Sequence, residues 1–494
     1  MPLVSGLLVA GTTSDAGKSL VVTALCRAFA RRGIDVAPYK AQNMSNNSMV
    51  CVGADGAGAE IGRAQWVQAR AAQVEPEPTM NPVLLKPGGE SRSHVVVMGR
   101  PAGTISSRDF VDGRAHLARA AYDAFDDLSA RHELVVAEGA GSPAEINLRA
   151  GDYVNMGLAR HADLPTVVVG DIDRGGVFAA FLGTLALLSV EDQRLVAGFV
   201  VNKFRGDVSL LRPGLDELTV RTGRPTYGVL PWRPDVWLDS EDALDLAGRR
   251  SSGTRRRVAV VRLPRISNFT DVDALGLEPD LDVVFVSDPR DLGDAALVVL
   301  PGTRATIADL AWLRERGLDR ALLDHAAAGR PVLGICGGFQ MLGRVVRDPL
   351  GVEGAGGAEV DGLGLLDVAT DFAEEKVLRL PTGDALGVPA SGYEIHHGRV
   401  SRGSGEEFLG GARSGSVLGT MWHGALEGDA LRGALLAELL PDRAASGVSF
   451  PAAREARLDA LGDLAEECLD LDALLSLVRT GVSSLPVLDG VLRR

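Results

Sequence analysis

Leu7-Leu-Val-Ala-Gly11-Thr-Thr-Ser-Asp-Ala-Gly17-Lys18-Ser19-Leu20 decides the architecture of the first half of the chain. An apolar run stops at a glycine, a short polar turn follows, and Lys18-Ser19 opens a helical pattern that runs from Leu20 to Arg32 and ends at Gly33, a C-cap. Strand, loop and helix in that order make an anion cradle. The glycines permit the turn and close backbone approach, and the amides and helix N-terminus face the ligand. On this reading Thr12, Thr13, Asp15, Ala16 and Gly17 wrap the phosphates of ATP. Lys18 brings a positive charge to the β- and γ-phosphates, and Ser19 offers its hydroxyl to Mg²⁺. The loop carries one residue more between its glycines than the common GxxxxGK[ST] pattern.

Outward from this loop the first half alternates short β-branched runs with helical stretches. Strands are expected at Leu7–Ala10, Ile34–Tyr39, Leu134–Glu138, Thr166–Gly170, Leu195–Asn202 and Thr226–Leu230. Continuous apolar runs of this kind suit strands covered on both faces of a mostly parallel sheet. Residues 245–257 lose the apolar period and gain Arg, Gly and Ser, which marks a linker. A second series follows at Val258–Leu263, Val283–Val286, Leu297–Leu300 and Val332–Ile335. The expected fold is therefore α/β, with two doubly wound sheets. The expected units are a P-loop synthetase domain over 1–244, a second domain over 258–441 and a helical tail over 442–494.

In the second series, Pro331-Val-Leu-Gly334-Ile-Cys336-Gly337-Gly338-Phe-Gln340 runs an apolar strand into a cysteine, two glycines and a helical pattern. A sharp strand-to-helix turn presents a nucleophile above its sheet, and small neighbours relieve the crowding. The helix N-terminus favours thiolate, the reactive form of cysteine. The amide of Gly337 is placed for an oxyanion, and Gly302 in Leu300-Pro-Gly-Thr303 ends the preceding strand as the second donor. His423, in Gly419-Thr-Met-Trp-His-Gly424, is the candidate base. Cys336 with His423 resembles the glutamine-amidotransferase pattern of the class I, flavodoxin-like type. The third triad member does not follow that pattern, because position 425 is Ala; Glu427, Glu394 or no charged residue orients the imidazole. Cys26, Cys51 and Cys468 lack such an elbow and read as structural.

The longer loop Gly11–Ser19 resembles that of dethiobiotin synthetase and its relatives, which make acyl or carbamoyl phosphates from ATP. That resemblance makes Glu138, at a strand end, a Mg²⁺ ligand. Asp171 and Asp173 are further acidic candidates, and Asn202-Lys203 matches the purine-contacting pair of such relatives. Lys40, Gln42 and Asn43 lie just past a strand end, within reach of a substrate carboxylate or the γ-phosphate; a polar loop of Asx turns is the alternative.

A synthetase half of this kind fused to an amidotransferase half resembles the glutamine-dependent cobyrinic acid amidases of the cobalamin pathway. Tyr39-Lys-Ala-Gln-Asn-Met-Ser-Asn-Asn-Ser48, Val169-Gly-Asp-Ile-Asp-Arg-Gly-Gly-Val-Phe178 and Tyr393-Glu-Ile-His-His-Gly398 point to the branch whose product is cobyric acid. Arg304-Ala305 departs from the Lys-Asn expected after the Pro-Gly-Thr turn. The resemblance implies amidation of the b, d, e and g carboxylates of adenosylcobyrinic a,c-diamide with glutamine and Mg-ATP. The a,c-diamide synthase of the same pathway and a ParA-like ATPase switch are the competing readings.

Composition agrees with a globular enzyme: 494 residues, 46% hydrophobic, 23% charged. A net charge of −14 argues against nucleic acid as partner. No run approaches the ~20 apolar residues of a membrane span. Four scattered cysteines without CxxC spacing suit a reducing cytosol.

Overall fold

The structure is a computed structural model that describes residues 6–88, 92–106, 114–233, 255–354, 356–482 and 484–488. Most of the expected linker lies outside them.

The first sheet is parallel throughout. Across it run Thr226–Pro231, Val196–Phe204, Thr166–Asp171, Gly6–Gly11, Leu134–Glu138 and Val36–Tyr39. The strand Gly6–Gly11 sits near its middle and is buried along its whole length. The order reverses beside it, and ligands of open α/β sheets bind outside the carboxyl ends at such a switch point. The loop 12–17, Glu138, Asp171 and Asn202 all leave the sheet at that edge.

In the second sheet the order is Leu281–Val286, Arg256–Val261, Leu297–Leu300, Val332–Ile335, Val417–Thr420, Gly411–Ser414 and Glu406–Phe408. It is parallel from Leu281 to Thr420 and ends in an antiparallel edge. The strand that begins this series starts at Arg256, ahead of the expected Val258, because Arg256 and Arg257 pair with Leu281 and Asp282 at the sheet's rim. Two doubly wound sheets are thus present as expected.

Two β-rich insertions were not apparent in the sequence. Between residues 42 and 106 lie short strands including Gln42–Met44, Ser48–Val52, Gly58–Gly62 and Val83–Pro87. Between 345 and 402, Val345–Asp348, Ala358–Asp361, Val368–Arg379 and Glu394–Arg402 make a separate sheet. The insertions meet each other. A Cβ on Gly58 would stand 2.2 Å from the carbonyl oxygen of Leu378, and Lys376 reaches Glu60 at 2.6 Å. The strands of the first insertion read poorly because polar residues such as Gln42, Asn43, Ser48 and Glu60 are buried in them with hydrogen-bond partners elsewhere, which removes the alternation that marks a half-exposed strand.

The tail is helical, over Phe450–Cys468 and Leu471–Thr480, and returns to the first half. Leu458, Leu461 and Leu464 join Val21, Leu25 and Phe29 of the helix Lys18–Arg31 in one apolar cluster. Arg27 bonds Glu455 and Asp459, Arg31 bonds Asp463, and Arg32 bonds Glu466 and Asp472 along the seam. No helix among the described residues is long and apolar enough to cross a membrane.

Candidate active site

At the phosphate loop, Gly17 takes φ +98°, and a Cβ there would stand 2.0 Å from Asn202 Nδ2. Only glycine fits. Asn202 Nδ2 donates to the Ala16 carbonyl at 3.0 Å and Lys203 Nζ to the Asp15 carbonyl at 2.9 Å, so this pair braces the loop. Thr12 N–H donates to Val169 O at 2.9 Å, tying the loop to the neighbouring strand. Lys18 folds back on the loop, donating to the carbonyls of Thr13 at 2.9 Å and Ser14 at 3.0 Å.

Glu138 is the centre of this site. It is 1% exposed, and its Oε1 accepts from Ser19 Oγ and from Lys40 Nζ, each at 2.8 Å. Its Oε2 accepts from Gln68 Nε2 at 2.6 Å. Burial opposes the charge, but Lys40 and these hydrogen bonds overcome it and hold the carboxyl below its ordinary pKa. Ser19 and Glu138 thus converge as hard oxygen donors beside the phosphate cradle, a donor set that fits Mg²⁺. Asp171 is engaged differently: it pairs with Lys203 at 2.8 Å, and Asp173 with Arg205 at 2.8 Å. Among the described contacts Asp171 makes no bond to Ser19 or Glu138. Gln42 and Asn43 are bonded to other partners than Lys40 is. Gln42 Oε1 accepts from Tyr153 OH at 2.5 Å, and Asn43 Nδ2 donates to Gln65 at 2.9 Å.

The cysteine site has the opposite character. Cys336 is a non-glycine residue at φ 49°, ψ −108°, the strained turn of an elbow between Val332–Ile335 and the short helix Gly337–Leu342. A Cβ on Gly338 would stand 1.9 Å from Leu300 O, and one on Gly337 2.7 Å from Thr303, so the elbow and the Pro-Gly-Thr turn are pressed together. The turn is pinned by Thr303 Oγ1, which donates to Asp309 at 2.5 Å. Gly302 also faces His423: a Cβ there would be 2.8 Å from the imidazole Cε1.

His423 is 1% exposed and stacks on Tyr393, with ring centroids 5.3 Å apart. It lines one cleft with Cys336, and its Nδ1 lies 2.7 Å from Asp271 Oδ2. Asp271 Oδ1 accepts from the Gly424 N–H at 2.8 Å, which fixes the carboxylate against the histidine's own loop. Burial pushes the His423 pKa down, but Asp271 and Cys336 more than offset it and push it up to about 10. A positively charged imidazolium beside Sγ is the natural counter-ion of a thiolate.

Asp271 corrects the sequence reading of the third member. Glu427 is instead committed to Arg63 at 2.7 Å and Arg454 at 2.9 Å, and Glu394 lies 3.7 Å from His396. Asp271 precedes Cys336 in the chain and sits in Ser267-Asn-Phe-Thr-Asp271, a polar cluster following the strand Arg256–Val261. Glu394 and Glu427 are near His423 in the chain, whereas Asp271 is 152 residues away.

The segment Lys40–Ser48 joins the two sites. Lys40 bonds Glu138 at one end, and the Ser48 N–H donates to Asn268 Oδ1 at 3.0 Å at the other. Asn43, Ser45 and Asn47 between them are buried.

Two family models match the chain. The CobQ/CobB/MinD/ParA nucleotide binding domain matches residues 7–245, and the CobB/CobQ-like glutamine amidotransferase domain matches residues 257–431. The cobyric acid synthase of Mycolicibacterium gilvum (strain PYR-GCK) is 74% identical over 487 residues, covering 98% of this chain and 99% of that one. That of Mycobacterium tuberculosis (strain ATCC 25618 / H37Rv) is 74% identical over 481 residues, covering 97% of each chain. That of Mycobacterium ulcerans (strain Agy99) is 73% identical over 486 residues, covering 98% of this chain and 99% of that one.

Proposed function

This chain belongs to the cobyric acid synthase family, and from that premise we infer that its two sites work in series on a corrinoid. It is a glutamine-dependent amidating enzyme of cobalamin biosynthesis. Its reaction is the glutamine- and ATP-dependent amidation of the b, d, e and g carboxylates of adenosylcobyrinic a,c-diamide to give cobyric acid.

At the cysteine site, Sγ of Cys336 attacks the carboxamide carbon of glutamine, and a C–S bond forms. The oxyanion that develops faces the amides at Gly337 and the Gly302 turn. His423 delivers its proton to the leaving nitrogen, the C–N bond breaks, and ammonia departs. His423, now neutral, takes a proton from water as water attacks the thioester, and glutamate leaves. Asp271 holds the imidazole in orientation through both halves.

At the phosphate loop, a substrate carboxylate oxygen attacks the γ-phosphorus of ATP, and ADP leaves. Ammonia then displaces phosphate from the acyl phosphate, forming the amide. Lys18 neutralises charge on the transferring group, and Lys40, held 2.8 Å from Glu138, is assigned to the incoming carboxylate. Ser19 and Glu138 would hold Mg²⁺, which supplies further neutralisation of the phosphates. Asp171 and the pair Asn202-Lys203 serve this site by holding the loop's shape. The segment Lys40–Ser48, with Asn43, Ser45 and Asn47 buried, lies between the sites, and ammonia is taken to pass along it, where confinement raises its effective concentration and keeps it from protonation in bulk water. The reaction belongs in a reducing cytosol, where Cys336 stays reduced.

The buried Asp271–His423 pair, sharing one cleft with Cys336 at its elbow, carries this reading. Mass spectrometry of adenosylcobyrinic a,c-diamide incubated with glutamine and Mg-ATP tests it. Amides are expected at the b, d, e and g positions; conversion of cobyrinic acid only at a and c would overturn the assignment.

A further inference from the structure

Tyr393 is 2% exposed and is tied to His423 twice over. Its ring stacks on the imidazole at an interplanar angle of 23°. The two backbones also exchange hydrogen bonds, Tyr393 N–H to His423 O at 3.0 Å and His423 N–H to Tyr393 O at 2.9 Å. A Cβ on Gly424 would stand 3.1 Å from Tyr393 Cε1, so the ring's hydroxyl end lies along the loop that carries the base. The hydroxyl itself is buried and has no hydrogen-bond partner among the described residues. Two carboxylates bear on it by charge, and both are engaged elsewhere: Asp271 with His423 and Gly424, Glu427 with Arg63 and Arg454. A buried phenol without an acceptor is costly unless a small molecule completes it.

Burial, reinforced by the charge of Asp271, pushes the Tyr393 pKa well above its ordinary value, so the phenol keeps a proton to donate. Tyr393 also belongs to the apolar cluster of the first half, with Tyr39, Ala41 and Met49, which flank or lie within the segment Lys40–Ser48. It therefore reaches from the base of the cysteine site to the segment that leads toward Glu138. Of the species formed at Cys336, ammonia is the one released beside His423, since the imidazole protonates the leaving nitrogen. Neutral ammonia brings a lone pair that accepts from a phenol. An ammonium ion is a donor only and leaves that proton unanswered.

We propose that the Tyr393 hydroxyl receives neutral ammonia as it leaves His423 and hands it toward the segment Lys40–Ser48, so that Tyr393 is a positioning residue for nitrogen transfer and not for glutamine cleavage. The proposal rests on the reading that ammonia passes between the two sites.

The test supplies the full-length enzyme with adenosylcobyrinic a,c-diamide, Mg-ATP and amide-¹⁵N glutamine in dilute unlabelled ammonium. Glutamate released and ¹⁵N amide in the corrinoid are counted for the parent and for Tyr393→Phe, which keeps the stacked ring and both backbone bonds. The parent should form the two in equal amounts. Tyr393→Phe should form roughly two- to tenfold less ¹⁵N amide per glutamate, the loss expected of one buried hydrogen bond, and take up more unlabelled nitrogen. Its amidation with high ammonium alone should match the parent's. An unchanged ratio of amide to glutamate overturns the proposal. So does a fall in ammonium-driven amidation alongside it, since the hydroxyl then serves the fold. A parent that itself releases glutamate in excess, or takes its nitrogen from the bulk, would instead overturn the passage of ammonia between the sites.

Discussion

The phosphate loop and the cysteine elbow occupy the same kind of place, a strand-to-helix turn at the carboxyl edge of a parallel sheet, yet they solve it differently. The loop relaxes its turn with Gly17 at φ +98° and leaves its backbone open to a ligand brought from outside. The elbow must keep a side chain at the turn, so Cys336 itself bears φ 49° and the glycines stand around it. A binding turn can give its special conformation to glycine; a nucleophilic turn cannot. Both sites are assembled from distant parts of the chain: the loop's site draws on residues 19, 40, 138 and 202, the elbow's on residues 271, 302, 336 and 423.

The sharpest way to break that comparison is at the loop. Lys18→Ala should reduce amidation roughly a thousandfold or more with either glutamine or ammonium as nitrogen source, because both routes need the acyl phosphate. Retained ammonium-driven turnover, followed by corrinoid mass, would separate Lys18 from the chemistry.

Asp271→Asn should touch only one side. Glutamine-driven turnover is expected to fall roughly a hundred- to ten-thousandfold while ammonium-driven turnover persists. With the His423 pKa raised to about 10, its protonated form persists through neutral pH and is lost as pH rises through about 10. The alkaline limb of glutaminase activity in the parent should therefore lie near that value. Loss of the Asp271 charge should move residual activity's limb to lower pH; an unmoved limb in a pH–rate profile would remove Asp271 from its role.

Gly338→Ala sharpens the steric half of the argument. Its Cβ would meet Leu300 O at 1.9 Å, backbone against backbone, and the strand-to-turn packing must shift. A stability loss of about 1–3 kcal/mol in urea unfolding is expected, with glutaminase activity falling further than ammonium-driven amidation.

The smallest effect lies on the seam that carries neither site. Arg27 is buried, but its partners Glu455 and Asp459 are 43% and 50% exposed, so screening limits what the pairs contribute. Arg27→Ala should cost about 1 kcal/mol, read as a modest drop in melting temperature, and leave both half-reactions in place.

These contrasts also explain what was legible beforehand. Both sheets and both turns lie in continuous apolar runs punctuated by glycine, and such runs survive any change in the surrounding insertions. The insertion strands around Gln42 and Ser48 carry buried polar residues satisfied by distant partners, Ser48 by Asn268 for one, and a local pattern cannot register that. Asp271 escaped for the same reason. Its role exists only because the helical turn Phe269–Val272 is folded against the His423 loop, 152 residues away in the chain. The sequence resemblance pointed to Cys336 and His423, which sit in tight motifs, and left the third member open between Glu427, Glu394 and no charged residue. The structure has given Glu427 to Arg63 and Arg454 instead, an ion-pair cluster joining both halves and the tail.

The central claim is that nitrogen freed at Cys336 is used at the loop around Lys18. Cys336→Ala, supplied with Mg-ATP, adenosylcobyrinic a,c-diamide and either amide-¹⁵N glutamine or ammonium, tests it most directly by corrinoid mass. The account predicts no ¹⁵N in the product from glutamine and full amidation from ammonium. Incorporation from glutamine by this variant, or failure with ammonium in a folded protein, would contradict it.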